Sequence, residues 1–475
     1  MNTVRAPDTV NLQGECSLAD KQFFAGAAAV VITPGLGVSL AGHTEDRLAE
    51  NVHDELHVRS LVLDNSDTRI ALVALDLIAA NKERLGRIKH EIHGHTGIPL
   101  DHILISCTHT HSAATPVPWF QSNVEKGYLD WAGSRVADCV RMAVRRLQPA
   151  RIGWAVGRED RVAFNRRFFM KPGTRLPNPV TGEEDRVRMN PGELNPAIDR
   201  PAGPVDPDVA VLAVQKAGGL DDKPLAIYAS YALHYVGGNP ATDVSADYFG
   251  VVAELLDQLT GGPRRDSPTP FAGMLANGCF GDINNIDVRQ HRKQTHPYQQ
   301  IYSVAETVAS AIHGAWKTIT YRDWVPLAVR EQMLDLEVRK PTAAEVQAAK
   351  EKLQRAPQGP LRDLNEIYAR ETVQLAEWPA RFQTPIQVFR IGDMGLCALP
   401  GEPFCQTGLN IKARSVLKPT MMVGMANDYA GYLPTEEQHA LGGYETWRAK
   451  SSFLEVKAAT KIEQTSLELL AAVSM

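Results

Sequence analysis

Two histidines spaced i, i+2 follow an apolar run in Ile103-Leu104-Ile105-Ser106-Cys107-Thr108-His109-Thr110-His111-Ser112. If the backbone stays extended, His109 and His111 point the same way beyond the carboxyl end of a buried strand, where open α/β sheets place their ligands. Neutral imidazole is the commonest protein ligand for zinc-like metals. Such a pair can bind one ion together or divide into a ligand and an acid/base group. A second apolar run, Ile227 to Leu233, ends in His234 and is followed by the turn Gly237-Gly238-Asn239-Pro240. Asp247 then precedes FGVVAELLDQL, where it can serve as a helix N-cap or as a carboxylate facing the site.

Further polar groups stand at the ends of other apolar runs. Phe271 to Ala276 leads into Asn277-Gly278-Cys279-Phe280-Gly281-Asp282-Ile283-Asn284-Asn285, a turn of the kind that presents backbone N–H groups to an anion. Glu402 follows Leu399-Pro400-Gly401, and Tyr429 and Tyr432 lie in Asn427-Asp428-Tyr429-Ala430-Gly431-Tyr432. Asp247 and Asp282 fit supporting or capping roles, because ligating histidines usually donate their second N–H to a carboxylate or carbonyl.

The elements that would carry these groups follow an α/β pattern. Apolar strand runs (AAAVVIT, RSLVLDN, RIALVALDLIAA, HILISC) alternate with helical patterns at 82–95 and 127–147. Residues 170–207, rich in Pro, Gly and charge, are expected to form a long surface loop of the functional kind. Residues 342–378 read as an inserted helical hairpin broken at Pro357-Gln358-Gly359-Pro360, with Thr342 and Glu345 forming a capping box. A strand pair turning at Gly392-Asp393 then runs into Pro400-Gly401-Glu402.

Composition narrows the function classes. The 475 residues are 44% hydrophobic and 22% charged with a net charge of −5, ordinary for a soluble globular protein and without the basic excess that nucleic acid attracts. Cys16, Cys107, Cys139, Cys279, Cys397 and Cys405 form no CxxC pair, which argues against a thiolate zinc site or a disulfide scaffold. The four near the site segments read as small buried thiols. The N-terminus lacks an apolar signal core, and no stretch is long enough to insert stably in a membrane, so the expected location is cytoplasmic.

Several of these segments together resemble the catalytic domain of the neutral ceramidases, zinc amidohydrolases of the N-acyl bond of ceramide. The resemblance rests on His109-Thr110-His111-Ser112, Asn165-Arg166, His234 with Ser245-Ala246-Asp247-Tyr248-Phe249-Gly250, Gly401-Glu402-Pro403-Phe404, and Asn427 to Tyr432 with Glu436-Glu437 and Tyr444-Glu445. It implies an α/β (mixed-sheet α+β) single large catalytic domain over 24–475 after an N-terminal extension over 1–23, without the immunoglobulin-like C-terminal domain of the large secreted members. It also implies that His109, His234, Glu402 and Tyr432 bind Zn2+, with His111, Arg166 and Tyr444 lining the scissile group. Where that family carries a conspicuous serine, this chain has Asn284, so no serine nucleophile is available there; the Asn284 amide is instead expected to orient substrate.

The expected activity is hydrolysis of an amide bond by zinc-activated water, on a small or medium N-acyl compound rather than ceramide. A zinc enzyme acting on an ester, a glycoside or a carbohydrate by elimination is the alternative, as is a non-catalytic descendant of the fold. A homo-oligomer is compatible with the sequence.

Overall fold

The computed structural model describes residues 21–475 except 219–222, 262–269 and 292–295. Cys16 and all but the end of the expected 1–23 extension lie outside the described residues.

Eight strands form one curled sheet in the order Ala272–Asn277, Pro224–Tyr231, Asp208–Lys216, Gln148–Arg158, Phe24–Val31, His57–Asp64, Arg69–Leu75, Ile103–Cys107. The outermost pair at each edge is parallel and the interior is antiparallel. A second sheet of four strands runs Leu327–Glu337, Arg381–Ile391, Met394–Ala398, Thr420–Val423.

Alternate residues of the strands feed different cores. Ala28, Val58, Val73 and Ile105 pack beneath the helices Lys82–Thr96 and Lys126–Arg145. Val211, Ile227 and Leu275 pack beneath Asp247–Thr260 and Gln299–Trp316. The opposite faces, with Leu61, Leu72, Leu212 and Met274, meet Phe389, Leu396 and Met421 of the second sheet. That sheet's outer face is covered by the helix Ala458–Ser474. The result is a helix–sheet–sheet–helix stack, and burial on both faces explains why the strands read as near-continuous apolar runs.

The curl brings the two edges of the large sheet together. Asn277, at the end of one edge strand, donates from Nδ2 to the Thr108 carbonyl just past the other (2.8 Å). The second sheet closes the same end: Gly424 N donates to Asn277 O (2.8 Å), and Cys107 N to Met425 O (3.1 Å). The carboxyl ends of Ile103–Cys107, Pro224–Tyr231, Ala272–Asn277 and Thr420–Val423 thus converge.

The helical hairpin is present as Ala343–Arg355 and Leu364–Ala376, with the Thr342–Glu345 capping box formed. The 170–207 stretch is not a plain loop. Val187–Met189 and Ile198–Pro201 flank Arg167–Met170 in a small antiparallel sheet, because its ends return to pair with the strand from which it departs. Among the described residues, no helix is long and apolar enough to cross a membrane.

Candidate metal centre

The strand bearing the first histidine pair stops at Cys107, so the extended continuation expected for His109 and His111 does not occur. Thr108 N and His109 N donate to Leu75 O (2.9 Å) and Leu77 O (3.0 Å), turning the chain, and His109 takes a left-handed φ of 66°. That conformation is uncommon for a residue with a Cβ and persists only where its surroundings hold it. The rings nevertheless converge, with the two Nε2 atoms 3.2 Å apart.

Each histidine is oriented through its other nitrogen. Nδ1 donates to Ile78 O in His109 (2.7 Å), to Gly42 O in His111 (3.0 Å), and to Phe280 O and Ile283 O in His234 (both 2.9 Å). A carbonyl only accepts, so Nδ1 carries the proton and each neutral ring turns an Nε2 lone pair toward the centre. The carbonyl partners take the role that the sequence assigned to Asp247 and Asp282. The turn after Asn277 likewise supplies acceptors rather than anion-binding donors: Gly281 N and Ile283 N are engaged by Pro403 O and Phe280 O.

Glu402 completes the group. It pairs with Tyr432 in a short parallel ladder, so both side chains leave the same side of that ribbon. Gly401, at φ 66°, makes the turn before it; a Cβ there would lie 2.3 Å from Gly431 O. Glu402 Oε2 is 3.0 Å from His234 Nε2 and 3.5 Å from His109 Nε2. The ligand atoms of His109, His234 and Glu402 all lie within 4.8 Å of one another, and all three side chains are buried. His111 stands outside this trio, stacked on Tyr235 (3.6 Å between ring centroids).

The donor set suits a zinc-like ion. Two imidazole lone pairs and one carboxylate, enclosed and with both second nitrogens anchored, are borderline-hard ligands already held in place. Lone pairs meeting across 3.2 Å, as in His109 and His111, are relieved by a cation or a proton. Burial, with Arg166 beside it, lowers His234 to about 4. Burial also holds His111 well below its ordinary value, reinforced by His109 and His234. For Glu402, burial acts upward, but the adjoining His109 and His234 outweigh it and keep the carboxyl well below the usual range.

Arg166 and Tyr444 are brought to the same place. Arg166 Nη1 lies 3.3 Å from His234 Nε2, and its guanidinium sits 5.4 Å from the Tyr432 ring centroid. The Tyr444 ring is 5.9 Å from that of Tyr432. Tyr432 itself lies 6.4 Å from the His234 ring, its phenol pushed well above its ordinary value by burial and by Glu402.

Asn284 directs Nδ2 to Asn190 Oδ1 (2.6 Å) and accepts from Ile286 N (3.0 Å). Asn190 N in turn donates to Arg166 O (2.8 Å), so the amide braces the backbone of Arg166. Asp282, raised to about 6 by burial, accepts from Cys405 N and Asn165 Nδ2 (both 2.8 Å). Asp247 is the first helical residue, with Ala246 in the cap position; its carboxylate accepts from Val236 N and Gly237 N (both 2.8 Å) and shapes the turn after His234. Cys107, Cys139, Cys279, Cys397 and Cys405 are buried free thiols.

Five residues with no role assigned from sequence also shape the centre. Glu445 binds both Arg166 and Arg167, and Tyr429 reaches Glu402 Oε1 (3.4 Å). Trp119 lies 6.2 Å and 6.3 Å from the rings of His109 and His111. Tyr235 stacks on His111, and Gly42 supplies the His111 acceptor. Tyr235 adjoins His234, a usable signal; Gly42 and Trp119 carry none.

No family model matches the chain. Its fold is that of the neutral ceramidases. It superimposes on neutral ceramidase from Pseudomonas aeruginosa with a TM-score of 0.71 at 17% identity, over 95% of this chain and 74% of that one. A ceramidase complexed with C2 gives 0.68 at 16%, over 96% and 76%.

Proposed function

We propose that the chain is a zinc-dependent hydrolase of an amide (N-acyl) bond in a small or medium N-acyl compound. The observation that carries this reading is the buried meeting of His109 Nε2, His234 Nε2 and Glu402, with each imidazole locked through Nδ1. The neutral ceramidase named above is similar in fold and supports the choice of bond.

His109, His234, Glu402 and Tyr432 would hold the ion. Bound there, zinc supplies Lewis acidity, bringing the pKa of a water to about 7 and polarising the scissile carbonyl. His111 stays off the ion, and its Nε2 takes a proton from the attacking water and returns it to the departing nitrogen. Arg166 and Tyr444 hold the negative charge that develops on the carbonyl oxygen. Asn284, through Asn190, keeps Arg166 in register. The aromatic wall of Trp119, Tyr235 and Tyr429 excludes water from the reacting atoms.

The test is elemental analysis of the purified protein together with amine release from a panel of N-acyl amides. One zinc per chain is expected, lost with turnover in His109→Ala and His234→Ala. His111→Ala retains the metal and loses about 10²–10⁴-fold in rate. A protein that neither contains metal nor takes up added zinc defeats the proposal, and zinc lost from His111→Ala reverses the assignment of ligand and base.

A further inference from the structure

A cavity of about 500 Å³ opens beside the centre, within the range of small-molecule sites. Leu176, Val187, Met189, Leu364 and Trp447 give it apolar walls, and the 170–207 segment supplies the first three. Tyr444 lines the same cavity and also touches Tyr432, joining the cavity to the metal group.

Three charged side chains, Arg175, Asp185 and Arg188, line this space, and two are already engaged. Arg175 Nε donates to Glu184 Oε1 (2.6 Å). Asp185 accepts from Asn178 Nδ2 (3.1 Å) and from the Trp447 indole (2.7 Å). Arg188, exposed in the middle of the strand Val187–Met189, has no side-chain partner among the described residues. The protein's net charge of −5 gives no general attraction for anions, so selection for one here would be local.

We propose that this cavity takes the apolar part of the substrate and that Arg188 pairs with a carboxylate on it, making the substrate class N-acyl amino acids or similar anionic amides. This rests on the amide-hydrolase reading of the adjoining centre. A neutral amide filling the cavity strips water from the guanidinium and returns nothing, whereas a carboxylate replaces that water with a charge-assisted pair.

The experiment compares N-decanoylglycine with the neutral N-decanoylethanolamine. Calorimetric titration of the His109→Ala protein reads binding without cleavage, and the same titration is run with Arg188→Ala added. N-decanoylglycine should bind more tightly than the neutral amide and lose about five- to tenfold in affinity on Arg188→Ala, a range set by partial solvent exposure. The neutral amide should lose nothing and bind the same or more tightly, since Arg188→Ala removes the guanidinium it would desolvate. With the otherwise wild-type chain, Arg188→Ala should raise KM for the anionic amide and leave kcat, a second reading that does not depend on His109→Ala folding. Equal affinity for the two amides, or no effect of Arg188→Ala, overturns the proposal. Binding as expected with no glycine released by the wild-type protein would instead defeat the hydrolase reading and leave the cavity assignment standing.

Discussion

Replacing Glu445 by Gln should damage stability and activity together. The Glu445 carboxylate is fully enclosed and is shared by Arg166 and Arg167, whose side chains are 7% and 0% exposed. Gln keeps the shape but not the charge, leaving two guanidinium groups without their common counter-ion. Breaking a buried pair from one side costs about 3–5 kcal/mol, a large share of the roughly 5–15 kcal/mol that holds a domain folded. With a urea slope of about 3 kcal/mol per M, the unfolding midpoint falls by roughly 1 M or more. Turnover should fall as well, since a Gln amide offers one acceptor where Arg166 and Arg167 now use two, loosening the 2.7 Å anchor of Arg166 Nε while Nη1 must stay near His234. Adding Arg167→Met should recover part of the stability and little of the activity, because it removes one stranded charge and leaves Arg166 loose.

The same pair dictates a pH dependence. Burial acts upward on Glu445, but the charges of Arg167 and Arg166 outweigh it and keep the carboxyl below its ordinary 4.5. A depressed folded value means that the stabilisation is fully present above about pH 4.5 and is lost as the pH falls through the lower folded value. The gap between wild type and Glu445→Gln should therefore be widest near neutrality and narrow below pH 4.5. An unchanged urea midpoint at pH 7 together with wild-type turnover would refute the reasoning.

Two other perturbations separate positioning from stability. A Cβ at Gly42 would lie 2.3 Å from His111 Nδ1 at a φ of 101°, so Gly42→Ala should displace His111, cutting turnover by tenfold or more in kinetic assays while zinc content stays at the wild-type level. Thr342→Ala, which removes the capping box of a largely exposed helix that contributes no residue to the centre, should cost about 1 kcal/mol in urea unfolding and leave kinetics unchanged.

The helices Lys82–Thr96 and Lys126–Arg145 and the hairpin with its capping box were legible because each rests on local signals: periodicity, a capping side chain, a proline break. The strands were legible because burial on both faces makes apolar runs. His109, His111, His234 and Glu402 stood out because each ends such a run. The small sheet within 170–207 was missed, since pairing between segments far apart in sequence leaves little local trace in a stretch rich in Pro and Gly. Glu445 was hidden for a related reason: its role comes from two arginines almost 280 positions earlier.

Residue type and strand position by themselves determined which side chains could serve as ligands, because imidazole and carboxylate chemistry does not depend on the fold and apolar runs announce where strands end. Tertiary structure alone decided how those side chains meet. The curl of the large sheet joins its two edges at Asn277 and Thr108, a left-handed turn at His109 replaces the extended path, and the carbonyls of Ile78, Gly42, Phe280 and Ile283 choose the tautomers. Backbone carbonyls are present at every position, so nothing in the sequence marks which of them will orient a histidine; only folding puts the acceptor within 3.0 Å of the ring.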